Sequence, residues 1–188
     1  MYGGSYQGKI SVYDHETETR KDIMAYPVVG LGWKPSEMKY RFNWNAPIVT
    51  APQDRNVIYH AGNKVLKSTD KGQSWTEISP DLTRNDKEKQ VLGGAPFTIE
   101  GAGGENYGTI TYMVASPHEQ GVLWTGSDDG LIHLTQNDGA DWKNVTPKGL
   151  GEVLINALEV SPHNPATAYA AVTNYKMGDL SPMVYITN

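Results

Sequence analysis

Short stretches in which apolar and polar residues alternate recur along the chain, and turn-forming residues separate them. Such alternation is typical of β-strands that bury one face. Three segments align with one another, and each contains two such stretches. They are Ala46–Pro52 followed by Val57–Gly62, Thr109–His118 followed by Val122–Ser127, and Ile155–His163 followed by Ala168–Val172. The sequence therefore predicts an all-β fold built from a repeated unit.

The repeat distance indicates the architecture. Pro52, Pro117 and Pro162 occupy equivalent places in the three units, 65 and then 45 positions apart. A β-propeller blade takes roughly 40–50 residues for four strands. Each unit is then an inner strand A, a loop, strand B, a short turn, strand C, a hairpin and strand D. The first interval carries an insertion of about 20 residues.

We predict about 14 antiparallel strands, or three and a half blades of a larger β-propeller. The predicted parts are an incomplete blade at 1–29, a blade at 30–80, an insertion loop at 81–104, a blade at 105–147 and an incomplete blade at 148–188. Unpaired strand edges favour association. The expected structural partners are therefore the remaining blades of a parent propeller or another copy of the chain.

A repeated hairpin motif marks the two complete blades. Ser68–Trp75 has the pattern S-x-D-x-G-x-x-W, and Thr135–Trp142 is a looser copy. The side chain of Asp70 is suited to accepting hydrogen bonds from nearby backbone N–H groups, as in Asx turns. Gly72 allows a positive φ, and Trp75 opens the next strand as a large packing group. The motif predicts a tight structural turn and no catalysis.

This motif resembles the Asp box of bacterial neuraminidase (BNR) repeats, which occurs in sialidase-like, xyloglucanase-like and sortilin-like β-propellers. Four further stretches resemble large bacterial secreted propeller proteins labelled glycosyl hydrolases, with a sortilin-like repeat region: Met38–Ile48, Ser79–Thr83, Tyr107–Ile110 and Gly126–His133. The resemblance implies a carbohydrate-active propeller that hydrolyses or binds a polysaccharide. Its alternative is a non-catalytic propeller that binds a protein or peptide. It also implies an extracellular or periplasmic location.

Loops on a rigid scaffold usually carry function. Strand direction alternates within a blade, so the D–A and B–C connections share one face. We call this the insertion face; Asp81–Tyr107, Gly126–Gly130 and Thr173–Pro182 form it, with the D–A connection around residues 41–44. The candidate catalytic residues there are Glu105, Asp128 and Asp129, and the candidate ligand-binding residues are Arg41, Trp44, Arg84, Tyr107 and Tyr175.

Each candidate has a structural alternative. Ser127–Gly130 between two strands is also a good hairpin turn, and Arg41 with Trp44 also suits a packed aromatic–cation pair. A glycosidase needs two opposed carboxylates, which Glu105 with Asp128 or Asp129 would supply. A sialidase would need an arginine cluster and an Arg-Ile-Pro motif, and the sequence lacks that motif.

Composition and local motifs argue against several other classes of protein. The net charge of −5 argues against a nucleic-acid binder, and no apolar run approaches the length of a membrane-spanning helix. The start of the chain does not resemble a signal peptide. Gly101–Gly104 lacks the Lys-Ser/Thr of a phosphate loop, and His118 and His163 occupy separate equivalent loops on the far face. We therefore predict no cofactor and no metal.

Overall fold

A computed structural model describes residues 1–44, 46–93 and 105–187. Its strands form four antiparallel sheets in chain order. Sheet 1 contains β1 (Tyr2–Ser5), β2 (Lys9–Asp14) and β3 (Thr19–Asp22). Sheet 2 contains β4 (Ile48–Thr50), β5 (Ile58–Ala61), β6 (Val65–Ser68) and β7 (Thr76–Glu77). Sheet 3 contains β8 (Ile110–Ala115), β9 (Leu123–Ser127), β10 (Ile132–Thr135) and β11 (Lys143–Asn144).

Sheet 4 contains β12 (Leu154–Val160), β13 (Ala168–Asn174) and β14 (Asp179–Ile186). Within every sheet each strand pairs with the strand that follows it in the chain. The helical segments among the described residues are three short 3-10 turns, at Tyr6–Gly8, Pro35–Glu37 and Tyr175–Met177. The predicted all-β fold and the A–B–C–D order of the two complete units are confirmed.

The first copy of the hairpin motif, Ser68–Trp75, is a tight turn that we call box turn 1. The Ser68 hydroxyl oxygen accepts a hydrogen bond from the Gly72 N–H at 2.7 Å. The Asp70 carboxylate accepts one from the Ser74 N–H at 2.8 Å. Gly72 has a φ of 90°, in the region that only glycine enters without strain. The predicted turn chemistry is confirmed.

The second copy, Thr135–Trp142, repeats this arrangement and is box turn 2. The Gly139 N–H donates to the Thr135 hydroxyl oxygen at 3.0 Å. The Asp141 N–H donates to the Asn137 side-chain oxygen at 2.9 Å. An asparagine thus replaces the aspartate of box turn 1 without loss of the bond, because the turn needs an acceptor and no charge.

Both box turns dock on the preceding sheet through tryptophan. The indole N–H of Trp75 donates to the carbonyl of Ile23 at 2.9 Å, just after β3. The indole N–H of Trp142 donates to the carbonyl of Ile78 at 2.8 Å, just after β7. A Cβ on Gly72 would lie 2.5 Å from Ile23 Cδ1. The glycine therefore also lets the turn approach its neighbour closely.

The apolar core consists of three clusters, and each lies between two neighbouring sheets. Ile10, Ile23 and Ile58 join sheets 1 and 2. Tyr59, Val65, Ile110, Met113 and Leu123 are the larger members between sheets 2 and 3. Trp124, Ile132, Ile155, Leu158 and Val172 are the larger members between sheets 3 and 4. The sheets therefore pack face to face in sequence order, as blades do.

The structure corrects one predicted loop. Thr173–Pro182 was expected to be a long connection, but β13 extends to Asn174 and β14 already begins at Asp179. Asn174 pairs with Asp179, and the connection is the short turn at 175–178. Pro182 is tolerated because β14 is an edge strand, where a missing N–H removes no necessary ladder bond. Of the predicted insertion loop, residues 94–104 lie outside the described residues, including Gly101–Gly104.

The box turns yield a stability prediction. Gly72 and Gly149 both have positive φ, at 90° and 86°, but a Cβ at Gly149 would meet nothing within 4 Å. We expect Gly149→Ala to lower the free energy of unfolding by about 1 kcal/mol, from backbone strain alone. Gly72→Ala should cost about 1–3 kcal/mol more, because Ile23 must also move. Urea unfolding of both variants measures this, and equal costs would contradict the docking of the turn.

Candidate functional site

A buried arginine holds the centre of the insertion face together. Arg41, which is 2% exposed, lies in the connection between sheets 1 and 2. Its guanidinium donates to the Asp81 carboxylate at 2.7 Å, to the Thr83 hydroxyl at 3.1 Å and to the Gly108 carbonyl at 3.0 Å. The Asn63 amide also donates to Asp81 at 2.9 Å. One cation therefore ties the connection between sheets 1 and 2 to both ends of the connection between sheets 2 and 3.

The charge of Asp81 is stabilised by these partners. Burial raises its pKa, but the hydrogen bond from Thr83, the charge of Arg41 and the hydrogen bond from Asn63 together outweigh burial. The pKa of Asp81 consequently lies below its ordinary value. Asp81 and Arg41 thus form an ionised, hydrogen-bonded pair inside the fold.

Asp128, a candidate catalytic residue, lies beneath the same face. Its side chain is buried, with 3% of the residue exposed. It accepts hydrogen bonds from the Gly108 N–H at 3.0 Å, the Thr109 N–H at 2.8 Å and the Thr109 hydroxyl at 3.0 Å. Burial, and then the charge of Asp129, raise the pKa of Asp128 to about 7. The carboxyl anchors the start of β8 to the β9–β10 turn.

Asp129 is equally enclosed, with 1% exposed. Its carboxylate accepts hydrogen bonds from the Ser127 hydroxyl at 2.5 Å and the Arg84 N–H at 2.8 Å. The Arg84 Nε–H donates to the Asp129 carbonyl at 2.7 Å. Burial raises the pKa of Asp129. The segment Ser127–Gly130 is therefore a hairpin turn, as its structural alternative predicted. Through Asp129 it also binds Arg84 in the connection after β7.

Tyr107 and Glu105 follow the insertion loop. Tyr107 is 3% exposed, and its hydroxyl donates to the Glu152 carboxylate at 3.0 Å. Burial, and then the hydrogen bond to Glu152, raise the pKa of Tyr107. Glu152 also forms an ion pair with Lys89. Glu105 is half-buried and forms an isolated antiparallel bridge with Asn43, so it lies beside the connection between sheets 1 and 2.

The aromatic candidates are exposed. Trp44 is 40% exposed and packs edge-on against Tyr6, which is 51% exposed, with ring centroids 4.3 Å apart. The predicted pair of Trp44 with Arg41 is thus wrong, because Arg41 instead binds Asp81, Thr83 and Gly108. Tyr6 was not singled out from the sequence. Its position in the turn between β1 and β2, a B–C connection, is the signal that would have found it.

Two more exposed rings lie in connections of the same kind. Tyr175 is 52% exposed in the turn between β13 and β14. Trp33 is 51% exposed in the connection between sheets 1 and 2. The topology therefore assigns four exposed rings to the insertion face.

Other kinds of site find little support. Within residues 1–44, 46–93 and 105–187, no group of three or more His, Cys, Asp or Glu side chains could hold a metal ion. His118 instead contacts the Ser161 carbonyl oxygen through Nε2 at 2.7 Å. None of the described helical segments has the length and apolarity needed to cross a membrane.

No protein-family model and no curated protein matches the chain. Solved structures do. An ancestral GH74 enzyme matches with a TM-score of 0.56 and 13% identity, and the GH74 xyloglucanase from Xanthomonas campestris with 0.55 and 14%. YCF48 bound to D1 peptide matches with 0.51 and 16%. The fold is that of a β-propeller.

At such low identity these similarities establish the fold alone. They cover 96%, 98% and 97% of this chain, but 22%, 26% and 50% of the ancestral enzyme, the xyloglucanase and YCF48. The chain thus spans from about a fifth to half the length of the propellers that it matches. The catalytic roles of Glu105, Asp128 and Asp129, and the ligand contacts of Arg41, Arg84 and Tyr107, stay predictions.

The enclosed Asp128 predicts a pH effect on stability. Its pKa is about 7 in the folded chain and about 3.9 in an unfolded one. The contribution of Asp128 to the free energy of unfolding is therefore largest below about pH 4, and it is lost as the pH rises towards 7. We expect Asp128→Asn to gain stability relative to wild type between about pH 4 and pH 8. Urea unfolding at both pH values measures the difference.

Asp179→Asn is the control, because the pKa of the exposed Asp179 carboxylate is lowered by the backbone N–H of Ser181. That variant should gain no stability relative to wild type as the pH rises, because a carboxylate whose pKa is lowered by folding stabilises the folded chain at higher pH. If both variants behaved alike, the assignment of the pH effect to Asp128 would be wrong.

The buried pair predicts a large stability loss. Arg41→Met leaves the Asp81 carboxylate without its cation, and we expect a cost of about 3–5 kcal/mol in the free energy of unfolding. Lys64→Met is the matched control, because Lys64 pairs with Glu77 at 2.6 Å with both side chains about a third exposed. The control should cost at most about 1 kcal/mol. Similar losses in the two variants would contradict the central role of Arg41.

Proposed function

We propose that the insertion face of this propeller binds a polysaccharide through its exposed aromatic rings. The observation that carries the proposal is the Tyr6–Trp44 pair, whose rings pack at 4.3 Å and yet remain 51% and 40% exposed. Tyrosine and tryptophan combine a broad apolar face with a polar edge. That combination suits sugar rings, which present C–H groups on their faces and hydroxyls at their edges.

The surrounding groups suit the same kind of ligand. Trp33 and Tyr175 add exposed rings in connections of the same face. Arg84 is exposed, and its guanidinium offers N–H donors to hydroxyl oxygens. The carboxylates below are enclosed and bonded within the chain. In this proposal the ligand is therefore a neutral polysaccharide.

The similarity to a xyloglucanase and to another GH74 enzyme supports a carbohydrate ligand. The extracellular or periplasmic location implied by the sequence resemblance suits a polysaccharide-binding protein. Polysaccharides are abundant in those compartments.

Hydrolysis is a second candidate, favoured by one observation. The pKa of Asp128 is raised to about 7, and a general acid must be protonated near the working pH. In this proposal Asp128 or Asp129 works with Glu105 across the glycosidic bond. Because Asp128 is 3% exposed, the Ser127–Gly130 turn must open to admit substrate.

The release of reducing sugar from a polysaccharide by wild type and by Glu105→Gln tests the hydrolysis proposal. Equal rates in the two proteins would exclude a catalytic role for Glu105.

The binding proposal predicts the effect of removing one ring. We expect Trp44→Ala to weaken polysaccharide binding about tenfold, because a stacking surface is lost. Affinity electrophoresis in gels containing xyloglucan, or another soluble polysaccharide that wild type binds, measures the change. Thermal melting of the variant should stay close to that of wild type, since Trp44 is 40% exposed.

Tyr13→Ala is the matched control. Tyr13 is 37% exposed and lies near the end of β2 that faces away from the Tyr6–Gly8 turn. It should bind polysaccharide like wild type. Equal binding by Trp44→Ala and wild type would contradict the proposal. If wild type binds peptides and no polysaccharide, the protein-ligand alternative is favoured, for which the similarity to YCF48 bound to D1 peptide gives a precedent.

A further inference from the structure

The turn that carries Tyr6 is held against sheet 2 by a stack of buried groups. Gly8, in this turn, has a φ of 71°, and a Cβ there would lie 2.5 Å from the ring of Phe42. Phe42 is 3% exposed, and its ring stacks on that of His60 in β5, with centroids 4.8 Å apart and ring planes 13° apart. The order of the stack is therefore turn backbone, phenyl ring and imidazole ring.

This buried stack positions the exposed Tyr6–Trp44 pair. Tyr6 lies two residues before Gly8, and Trp44 lies two residues after Phe42. The exposed contact between Tyr6 and Trp44 and the buried contact between Gly8 and Phe42 therefore join the same two segments of the chain. Movement of the turn away from Phe42 would separate the two exposed rings.

His60 is enclosed, and one of its ring nitrogens makes no hydrogen bond. The residue is 1% exposed, and its Nδ1 lies 2.8 Å from the carbonyl oxygen of Pro47. A carbonyl oxygen only accepts, so Nδ1 carries the proton and Nε2 holds the lone pair. Nε2 is buried and has no hydrogen-bond partner among the described residues. A second proton on the ring would place a positive charge in this enclosed space, which is costly.

Burial has the largest effect on the titration of this ring. It lowers the pKa of His60 to about 4, and the backbone groups of Pro47 and Gly8 act in the opposite direction. The titratable side chains on the elements around the ring are those of Tyr6, Tyr40, Arg41, Lys67, Asp70, Lys71 and Glu77. The shift comes from burial and from the backbone groups, and from none of these side chains.

We propose that His60 is an acid-sensitive switch for the Tyr6–Trp44 pair, an inference that rests on the proposed binding role of that pair. The neutral imidazole supports Phe42 beside the turn. Protonation favours an open arrangement in which the turn leaves Phe42, His60 reaches water and the two exposed rings separate. The polysaccharide binds the closed arrangement, so acid favours its release.

The direction of the pH effect follows from the two states of His60. In the open arrangement the ring is hydrated and has its ordinary pKa of about 6.5, whereas in the closed arrangement its pKa is about 4. A histidine whose pKa is lowered by closing stabilises the closed arrangement above about pH 6.5, and this stability is lost as the pH falls towards 4. The equilibrium constant for opening should therefore be about thirtyfold higher at pH 5 than at pH 8.

A cysteine trap measures the opening. The chain contains no cysteine, so Ile10→Cys supplies a single thiol between sheets 1 and 2, at a position that is 2% exposed. At a low concentration of a pyridyl disulfide, the rate of modification follows the open fraction. This rate is divided by the rate for free cysteine at the same pH. We expect the ratio to rise about thirtyfold from pH 8 to pH 5, and an unchanged ratio would overturn the proposal.

Two variants of His60 remove its titration in different ways. His60→Phe keeps an aromatic ring against Phe42, and His60→Asn keeps a donor for the carbonyl of Pro47. In either variant that folds, most of the rise at Ile10→Cys should disappear. A full rise in a folded variant would overturn the switch.

A second cysteine position distinguishes local opening from unfolding of the whole chain. Val172→Cys is the matched probe, because Val172 is 1% exposed and lies in the core between sheets 3 and 4. Its modification should not accelerate from pH 8 to pH 5. Equal rises at Ile10→Cys and Val172→Cys would assign the effect to global unfolding and would overturn the switch.

Added polysaccharide separates this inference from the proposed function. Saturating xyloglucan, or another soluble polysaccharide that wild type binds, should slow the trapping of Ile10→Cys at both pH values, because it binds only the closed arrangement. If trapping is unchanged by polysaccharide and His60 still controls its pH dependence, the switch is supported and the binding role of Tyr6 and Trp44 is contradicted. If polysaccharide slows trapping but opening does not depend on His60, the binding role is supported and the switch is overturned.

Discussion

The fold depends on the contact between each box-turn tryptophan and the sheet before it. Trp75 and Trp142 each combine burial of a large ring with a hydrogen bond to a backbone carbonyl, at 2.9 and 2.8 Å. The turn brings this ring into place because a hydroxyl and an aspartate or asparagine bind its backbone, and because its glycine has no side chain. A small sheet needs an apolar face or a packing partner to be stable on its own. Docking supplies the burial that each sheet lacks.

At the insertion face, polar contacts also hold neighbouring parts of the fold together. Arg41, from the connection between sheets 1 and 2, binds both ends of the connection between sheets 2 and 3, and Asp128 binds the backbone where β8 begins. Enclosed charges need this degree of hydrogen bonding, because an unpaired charge inside a protein is costly. Asp128 and Asp129 are held by such bonds within the chain. The aromatic rings of Tyr6, Trp33, Trp44 and Tyr175 remain 40–52% exposed.

The sequence allowed the repeat, the strand order and the chemistry of the box turns to be predicted. Ser68, Asp70 and Gly72 lie within a few positions of one another, so their contacts are local. The Tyr6–Trp44 pair could not be predicted, since it depends on how two sheets pack. The burial of Asp128 likewise depends on Thr109 in the neighbouring strand. Pro182 was misread as part of a loop, because proline is excluded from central strands and not from edges.

The docking contacts have a direction along the chain. Trp75 binds a carbonyl in sheet 1 and Trp142 binds one in sheet 2, so each sheet rests on the one synthesised before it. A ribosome makes the chain from the amino terminus, and domains generally fold in that order. Every box turn that leaves the ribosome therefore meets a binding site that has already been made. The molecule is suited to assembly one sheet at a time during translation.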